Sequence, residues 1–309
     1  MKELQHKLLQ ENPFPDILGQ GEAKYQLKSA LLMGRHVIIV GPPGIGKTTL
    51  AKNVAKLLPE IVAEKKKITG LERFIRVQGS PDLSSEDLLG DIDPIKALKF
   101  GPTSVEAFTK GKIFKADKGV LFFDELNRAP PKLQNALLQV LEEGKATIGS
   151  YDVDFDVDFV FIGTLNPNDP TTEKLSEVFL DRCDIVYMGY PETLEIEREI
   201  VLSKGQKTAE FPGELLDRTL TFVRMLRNSS KLEKFPSVRA SIGLYERAQA
   251  NAAISKRKQV EMQDVMDAIV SVLAHRIELK PSVKYSESAK DFIQEELKEH
   301  FGASSGDYG

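Results

Sequence analysis

Val37-Ile38-Ile39-Val40 runs directly into Gly41-Pro42-Pro43-Gly44-Ile45-Gly46-Lys47-Thr48. A short apolar run that ends at a glycine-rich turn is typical of a strand buried on both faces of a parallel sheet. From Lys47 to Leu58 apolar residues recur at helical spacing, so a helix is predicted next. Glycines in such a turn let the backbone wrap around phosphate groups, and the following helix adds partial positive charge. The stretch therefore predicts a strand, a phosphate-binding loop and a helix.

The loop fits the pattern G-x-x-x-x-G-K-[ST], in which the last two residue types have chemical tasks. The Lys47 ammonium is expected to reach the β- and γ-phosphates of a nucleotide, and the Thr48 hydroxyl is expected to bind Mg²⁺. The predicted nucleotide-binding residues of this segment are Gly41, Pro42, Pro43, Gly44, Ile45, Gly46, Lys47, Thr48 and Thr49.

A second apolar run, Gly119-Val120-Leu121-Phe122-Phe123-Asp124-Glu125, ends in two carboxylates. An acid at a strand tip can hold the Mg²⁺ shell, which is the role predicted for Asp124. Glu125 can orient and deprotonate a water molecule aimed at the γ-phosphate. Either acid alone could equally cap a helix. Together, downstream of a phosphate loop, they predict a site that hydrolyses a nucleotide, with Thr48 and Asp124 as the metal ligands.

Three further polar residues are candidates for the same site, and each has an ordinary alternative. Asn166 follows a predicted strand and could hold the attacking water or touch the γ-phosphate, or it could form a turn before Pro167. Arg182 could stabilise phosphate charge in the transition state, which an arginine from another subunit often does, or form a surface ion pair. Arg239 opens a predicted helix and could report the nucleotide state to a second domain.

The remaining pattern divides the chain into two domains. Strands alternate with helices in residues 1–190, which indicates an α/β fold with a mostly parallel sheet. The strands of this core are predicted at 37–40, 73–77, 120–123, 159–164 and 184–187. A second, all-helical domain is predicted over 191–301, followed by a frayed tail over 302–309. Its helices are predicted at 192–204, 213–228, 237–254, 261–279 and 286–299.

Two segments interrupt the alternation of strands and helices. The first, about 83–116, begins as a helix and continues into short pieces that could pair as a hairpin. The second, about 145–159, contains Tyr151-Asp152-Val153-Asp154-Phe155-Asp156-Val157-Asp158-Phe159, whose alternation predicts a strand with one apolar and one acidic face. Alternating aspartates can suggest a calcium loop, but that loop needs glycine at its sixth position, where Val157 stands. A hairpin with a solvated acidic face is the preferred interpretation.

Composition and charge argue against several other classes of protein. The 309 residues are 41% hydrophobic and 28% charged, which is typical of a globular chain. Cys183 is the single cysteine, so an internal disulfide and a four-cysteine zinc site are excluded and a reducing compartment is expected. The net charge of −4 does not favour binding of nucleic acid by bulk charge. The apolar runs are far shorter than the ~18 residues that span a bilayer, and the N-terminus lacks an apolar signal core, so we expect a cytoplasmic protein.

As a set, these motifs resemble the AAA+ ATPases. The resemblance rests on the loop Gly41–Thr48, the pair Asp124-Glu125, Asn166, the segment Leu180-Asp181-Arg182, and Arg239. More narrowly, Asp124-Glu125-Leu126-Asn127-Arg128-Ala129-Pro130-Pro131 is similar to the MoxR group. Residues 111–119 also resemble the ATPase subunit of magnesium chelatase. The two interrupting segments match the helix-2 insert and the hairpin before sensor 1 in that clade.

The resemblance implies an AAA+ P-loop core with a C-terminal helical lid, ATP and Mg²⁺ as cofactors, and a ring, usually a hexamer, with ATP between subunits. It assigns Asn166 as sensor 1, Arg182 as the arginine finger that acts on a neighbour's ATP, and Arg239 as sensor 2. Leu18 and Gly19 match the segment that lines the adenine pocket. Members of this group often work with a protein that contains a von Willebrand factor A domain, which is therefore an expected partner.

Three functions are compatible with these observations. The preferred one is a chaperone-like ATPase that remodels a protein partner in maturation, cofactor or metal insertion, or complex assembly. A DNA-translocating motor is the alternative, because such motors share the fold and the first insert carries Lys96, Lys99, Lys110, Lys112 and Lys115. The aspartates of residues 152–158 would repel a phosphate backbone and argue against it. The third is a nucleotide-dependent scaffold that hydrolyses ATP slowly.

Overall fold

The structure is a computed structural model that describes residues 2–63, 66–101, 104–147, 154–167 and 175–302. The chain groups into two compact units. The first contains the chain up to Pro42 together with Gly46–Met188, and the second contains Pro43–Ile45 and the chain from Gly189 onward. Part of the predicted hairpin, residues 148–153, and tail residues 303–309 lie outside the described residues.

A parallel sheet organises the first unit. The strands of this unit are β1 (His36–Val40), β2 (Ile61–Ala63), β3 (Lys66–Ile68), β4 (Phe74–Gln78), β5 (Gly90–Ile92), β6 (Phe108–Lys110), β7 (Val120–Asp124), β8 (Lys145–Thr147), β9 (Asp154–Asp156), β10 (Val160–Leu165) and β11 (Cys183–Tyr187). Five of them pair in parallel in the order β11-β1-β10-β7-β4. The interiors of β1, β7 and β10 are buried, as continuous apolar strands of a parallel sheet should be. The predicted α/β class is confirmed.

Helices flank this sheet. They are α1 (Lys2–Leu8), α2 (Gly21–Leu32), α3 (Lys47–Leu57), α4 (Ser85–Leu89), α5 (Pro94–Phe100), α6 (Lys112–Lys115), α7 (Pro131–Glu143) and α8 (Glu177–Asp181). Helix α7 begins at Pro131, where proline is tolerated because the first turn needs no N–H donor. It buries Leu133, Leu137 and Val140 in the core beside β7 and ends at Gly144, whose φ of 63° suits a left-handed helix stop.

Both interruptions of the α/β pattern contain an antiparallel strand pair. In the first, β5 pairs with β6, and α5 lies between them in the chain. In the second, β8 pairs with β9, and Asp154–Asp156 is the part of the alternating stretch that forms a strand within the described ranges. Phe155 packs against Phe108 and Phe114 of the first segment, with ring centroids 6.5 and 5.7 Å away. The two segments therefore share one aromatic cluster.

The second unit is built from helices around its own core. Its elements are α9 (Leu194–Lys204), α10 (Gly213–Arg227), β12 (Leu232–Lys234), α11 (Val238–Ile254), α12 (Met262–Leu273), β13 (Glu278–Leu279), α13 (Pro281–Lys284) and α14 (Ala289–Gly302). Two results differ from the predictions. The helix predicted over 261–279 ends at Leu273, and β13 pairs with β12 beyond it. Strands this short hold too few residues to show a period-2 pattern, so the sequence did not reveal them.

Cys183 is a buried, free thiol. Cys183 opens β11, and burial raises the pKa of its thiol to about 12, so the thiol stays protonated at neutral pH.

Within the ranges that the structure describes, no helix has the length and apolar character required to cross a bilayer.

Candidate nucleotide-binding site

The predicted site residues of the first unit lie at the carboxyl ends of the parallel strands, at one edge of the sheet. β1 runs into the phosphate loop, β7 ends at Asp124, and half-buried Asn166 follows β10. Val40 pairs with Leu165, so the ends of β1 and β10 are level. In open α/β sheets, ligands bind outside the carboxyl ends of the strands. The fold therefore brings the loop, the acid pair and Asn166 to the edge where a ligand is expected.

The phosphate loop needs glycine at two positions. Gly44 has a φ of 76° and Gly46 a φ of 103°, which lie in the left-handed region that favours glycine. A Cβ on Gly46 would also lie 3.1 Å from Ile17 Cδ1. Gly46 directly precedes α3, whose N-terminus has no side-chain cap, so its first N–H groups can face an anion. The two left-handed glycines and the uncapped start of α3 are compatible with the predicted binding of phosphate.

Lys47 turns back onto this loop. Its Nζ donates hydrogen bonds to the carbonyl oxygens of Gly41 and Pro42, the second at 3.0 Å. The ammonium group is thus held inside the loop by oxygen acceptors. Thr48 and Thr49 follow Lys47 in the first turn of α3.

The segment predicted to line an adenine pocket is attached to α3. The main-chain N–H of Asp16 donates to Asn53 Oδ1 at 3.4 Å, and Ile17 is buried against the phosphate loop. Leu18 and Gly19 follow in half-buried positions. The segment thus lies beside the phosphate loop, and its role in binding a nucleotide base stays a prediction.

Asp124 is held at the tip of β7 by two donors. Its Oδ1 accepts a hydrogen bond from Thr164 Oγ1 at 2.7 Å, and its Oδ2 accepts one from Arg76 Nη2 at 2.6 Å. The Thr164 hydroxyl also accepts a hydrogen bond from the main-chain N–H of Glu125 at 2.9 Å. Thr164 is fully buried, so it fixes the carboxylate of one acid and the backbone of the next.

Glu125 occupies an uncommon backbone conformation, with φ 53° and ψ 52°. Its Oε2 accepts a hydrogen bond from Gln78 Nε2 at 2.9 Å and lies 3.2 Å from Arg128 Nη1. Gly79 permits this turn, because a Cβ there would lie 2.0 Å from the Glu125 carbonyl oxygen. A left-handed non-glycine residue held by several partners is typical of functional sites.

Four side chains that contact the two acids are not among the residues predicted for the site. They are Arg76, Gln78, Arg128 and Thr164. Arg76 and Gln78 reach the site only because β4 pairs in parallel with β7, which sets Gln78 beside Asp124. Thr164 did carry a signal, since it ends the same apolar run that precedes Asn166.

Arg182 is held within its own chain at the end of α8. Its Nη2 donates to both carboxylate oxygens of Glu142 at 3.0 and 2.9 Å, and its Nε donates to one of them at 3.1 Å. Its Nη1 donates to the carbonyl of Val178 at 3.0 Å. The hydrogen bonds to Glu142 raise the pKa of Arg182 above its usual value. The structure shows the ion pair that was one of two interpretations, and an action on a neighbour's nucleotide stays a prediction.

Arg239 lies at the start of α11 in the second unit. The tip of the phosphate loop, Pro43–Ile45, groups with that unit, and a Cβ on Gly44 would lie 3.1 Å from Arg239 Cγ. The predicted role of Arg239 as a nucleotide sensor remains a prediction.

The side-chain oxygens of Thr48 and Asp124 are suitable ligands for nucleotide-bound Mg²⁺. Thr48 and Asp124 offer hydroxyl and carboxylate oxygens, which are the hard ligands that Mg²⁺ prefers. Among the described residues, no group of three His, Cys, Asp or Glu side chains could hold a metal by itself. Mg²⁺ usually takes one or two protein ligands and completes its shell with water and phosphate oxygens. The carboxylate of Asp124 already forms an ion pair with Arg76.

Two family models match the chain. The one described as "AAA domain (dynein-related subfamily)" matches residues 36–183, and the one described as "AAA lid domain" matches residues 234–296. The first range contains the phosphate loop, the acid pair, Asn166 and Arg182. The second contains Arg239.

Several known proteins are similar over most of the chain. YeaC of Bacillus subtilis is 29% identical over 294 residues, covering 87% of this chain and 85% of that protein. Chaperone MoxR1 of Mycobacterium tuberculosis is 27% identical over 298 residues, with 85% and 73% covered. Magnesium-chelatase subunit ChlI of Glycine max is 27% identical over 323 residues, with 87% and 75% covered. A solved mutant of Thermotoga maritima RuvB aligns with a TM-score of 0.54 at 20% identity, with 84% and 73% covered, which shows a shared fold alone.

Proposed function

Because this chain belongs to the AAA family of ATPases and carries both an AAA domain and an AAA lid, we propose that it hydrolyses ATP with Mg²⁺ at the carboxyl edge of its sheet. The observation that carries this proposal is the pair Asp124 and Glu125, both fixed by the buried hydroxyl of Thr164. A carboxylate at a strand tip can hold a metal, and the next one can activate water. The phosphate loop at the same edge supplies the place for the nucleotide.

Each side chain has a task in this reaction. Lys47 would exchange its loop carbonyls for the β- and γ-phosphates, and Thr48 and Asp124 would hold Mg²⁺. When bound, Mg²⁺ neutralises charge on the phosphate oxygens. Glu125 takes a proton from the water whose oxygen attacks the γ-phosphorus, and the bond to the bridging oxygen of ADP breaks. Asn166 orients that water or the γ-phosphate.

We propose that the site is shared between subunits. Arg182 would stabilise the γ-phosphate of a neighbouring subunit, and Arg239 would sense the nucleotide bound to its own chain. The support is the AAA family membership and the position of Arg182 at the end of α8, where the side chain remains 31% exposed. A ring, with six subunits as the expected number, then follows because one chain alone would lack the arginine of its neighbour.

The proposed partner is a protein that the ring remodels in the cytoplasm. The similarity to Chaperone MoxR1 supports this choice. So does α5 in the first insert, where Ile95 is 79% and Leu98 is 90% exposed. A protein with a von Willebrand factor A domain stays the expected partner. Asp156 and Asp158 are exposed on the second segment and would repel DNA, which remains the alternative substrate.

The test is the ATPase rate per subunit as a function of protein concentration, for the wild type, Glu125→Gln, Arg182→Ala and a mixture of the two variants. We expect a wild-type rate that rises with concentration and losses of about 10³-fold in each variant, since an arginine finger contributes that much or more. The mixture should recover part of the rate, because one subunit supplies the glutamate and the other the arginine.

Arg35→Ala is the matched control, since Arg35 is an exposed arginine of the same unit that pairs with Asp184 at 3.4 Å. Its rate should equal that of the wild type. A rate that does not depend on concentration, together with a fully active Arg182→Ala, would contradict the shared site. Stimulation by DNA and not by protein would favour the alternative motor.

A further inference from the structure

Arg76 places a cation on the proposed metal ligand. It lies on β4, at one edge of the sheet, and its Nη2 is 2.6 Å from Asp124 Oδ2. The same nitrogen lies 3.0 Å from Gln78 Oε1. The Arg76 side chain is 53% exposed, whereas that of Asp124 is 15% exposed. The guanidinium therefore approaches a mostly covered carboxylate from the solvent side of the sheet edge.

The two carboxylate oxygens of Asp124 are both engaged. Oδ1 accepts the hydrogen bond of the buried Thr164 hydroxyl, and Oδ2 accepts that of Arg76. Thr164 is fully enclosed, so its hydrogen bond is the fixed one, and Arg76 is the partner that can move into solvent. Oδ2 is thus the oxygen that becomes available when a partner leaves.

A magnesium ion and a guanidinium group cannot both be close to Oδ2 at low cost. Mg²⁺ demands a regular octahedral shell of oxygen ligands, and two cations at such short range repel each other. Binding of Mg²⁺ at Oδ2 would therefore favour a position of the Arg76 side chain away from that oxygen. Its exposed position on an edge strand makes that departure a change of side-chain rotamer and not a change of fold.

We propose that Arg76 is a placeholder for the metal: it neutralises Asp124 until Mg²⁺ arrives with the nucleotide and displaces it. This inference rests on the proposed Mg²⁺-nucleotide site. Arg76 is a positioning residue, and it has two opposite effects. Without metal, it shields the nucleotide phosphates from the charge of Asp124. With metal, it competes for the same oxygen.

Because the two effects are opposite, loss of Arg76 should change the affinity for ADP in opposite directions with and without Mg²⁺. The experiment measures the affinity for ADP by isothermal titration calorimetry, once with excess Mg²⁺ and once with EDTA. Arg76→Gln should weaken the binding of ADP in EDTA, because the bare carboxylate repels phosphate. The same variant should tighten binding in Mg²⁺, because the competitor is gone. The ratio of the two affinities should rise about tenfold, within the usual range of coupling between two ligands.

Two further variants separate this mechanism from a general loss of positive charge. Arg128→Gln removes an arginine whose Nη1 lies 3.2 Å from Oε2 of the neighbouring acid, Glu125. It should change both affinities in the same direction and leave their ratio within about twofold. Arg76→Lys keeps the charge without the planar fork of the guanidinium, so it should shift the ratio in the same direction as Arg76→Gln but less.

The proposal is overturned if Arg76→Gln weakens both affinities equally, because Arg76 would then only attract the anionic nucleotide. An unchanged ratio, or the same rise in Arg128→Gln, overturns it too. A wild type that binds no ADP in either buffer is a different result, since it contradicts the proposed nucleotide site itself. Circular dichroism of each variant checks that the fold is retained.

Discussion

Thr164 is the residue on which the geometry of both acids depends. Replacing it by valine keeps the shape and removes the hydroxyl, so the Glu125 N–H loses its acceptor and Asp124 loses a donor. A buried group left without its hydrogen bond costs about 1–3 kcal/mol. Thr164→Val should lower the free energy of unfolding by that amount and reduce ATPase kcat more than it changes nucleotide affinity.

Thr164→Ser is the control for this prediction, because it keeps the hydroxyl and loses one methyl group. Denaturant unfolding and steady-state kinetics together measure the effects. If Thr164→Ser lost as much kcat as Thr164→Val, packing and not the hydroxyl would be what the site needs.

Glu142 decides where the Arg182 guanidinium lies, through hydrogen bonds from Nε and Nη2. Glu142→Gln removes the charge and one of the two equivalent oxygens, so we expect the arginine to sample more orientations and ATPase kcat to fall about 10-fold, well short of the loss in Arg182→Ala. Glu143→Gln, on the next residue of α7, should leave kcat unchanged. Mixing Glu142→Gln with Glu125→Gln subunits should restore part of the rate, and a faster Glu142→Gln enzyme would mean that Glu142 restrains the arginine instead.

At the level of elements, the Phe155 ring connects the two inserted segments. It stacks on Phe108 and meets Phe114 edge to face, and Phe108 and Phe114 lie 5.7 Å apart. The strands that this cluster supports are three residues each, too short to be stable without packing. Because the rings are their shared support, loss of one should loosen both segments.

Phe155→Ala should therefore raise amide hydrogen exchange in both β5–β6 and β8, while exchange in β1 and β10 stays unchanged. The expected local loss is about 1–3 kcal/mol, since the ring is only half buried. Leu98→Ala is the control, because Leu98 is 90% exposed on α5 and should change exchange very little. Faster exchange confined to β8–β9 would contradict a shared cluster.

For the molecule as a whole, the stability of the second unit depends on the buried carboxylate of Glu197. Burial by itself would raise the pKa of Glu197, but hydrogen bonds and charge from Arg227, with Ser241 and Arg224, outweigh it and lower the pKa below its usual value of 4.5. A carboxylate with a lowered pKa contributes stability above its unfolded-state pKa and loses it as the pH falls through the folded-state pKa. Acidification below pH 4.5 should therefore weaken this unit.

Glu197→Gln tests this at neutral pH and in acid. It leaves two arginines without their buried partner, and removal of one member of such a pair costs about 3 kcal/mol or more. Exchange-detected stability of α9 and α10 should be lower at pH 7 and should depend less on acid than in the wild type. Glu199→Gln, an exposed neighbour on α9, should stay within about 0.5 kcal/mol of the wild type. Equal acid sensitivity in Glu197→Gln would assign the effect to other carboxylates.

The local pattern of the sequence was sufficient for the α/β class and, to within one residue, for the carboxyl ends of β1, β7 and β10. The apolar run 37–40 and the run 120–123 are recognisable because their neighbours in the chain set both the strand and its termination. The short strands β12 and β13 were not recognisable, because a strand of two or three residues exists only through its partner. The helix predicted over 261–279 was too long for the same reason, because β13 lies at its predicted end and could not be recognised.

Local sequence pattern alone predicts, to within one residue, where β1, β7 and β10 end. Those positions follow from the order of residues along the chain. The contacts of Arg76 with Asp124, of Gln78 with Glu125 and of Glu142 with Arg182 form through tertiary packing. Each of these pairs joins residues 40 or more apart in the chain, with separations of 48, 47 and 40. Such contacts depend on strand order, register and helix packing, which no local periodicity encodes.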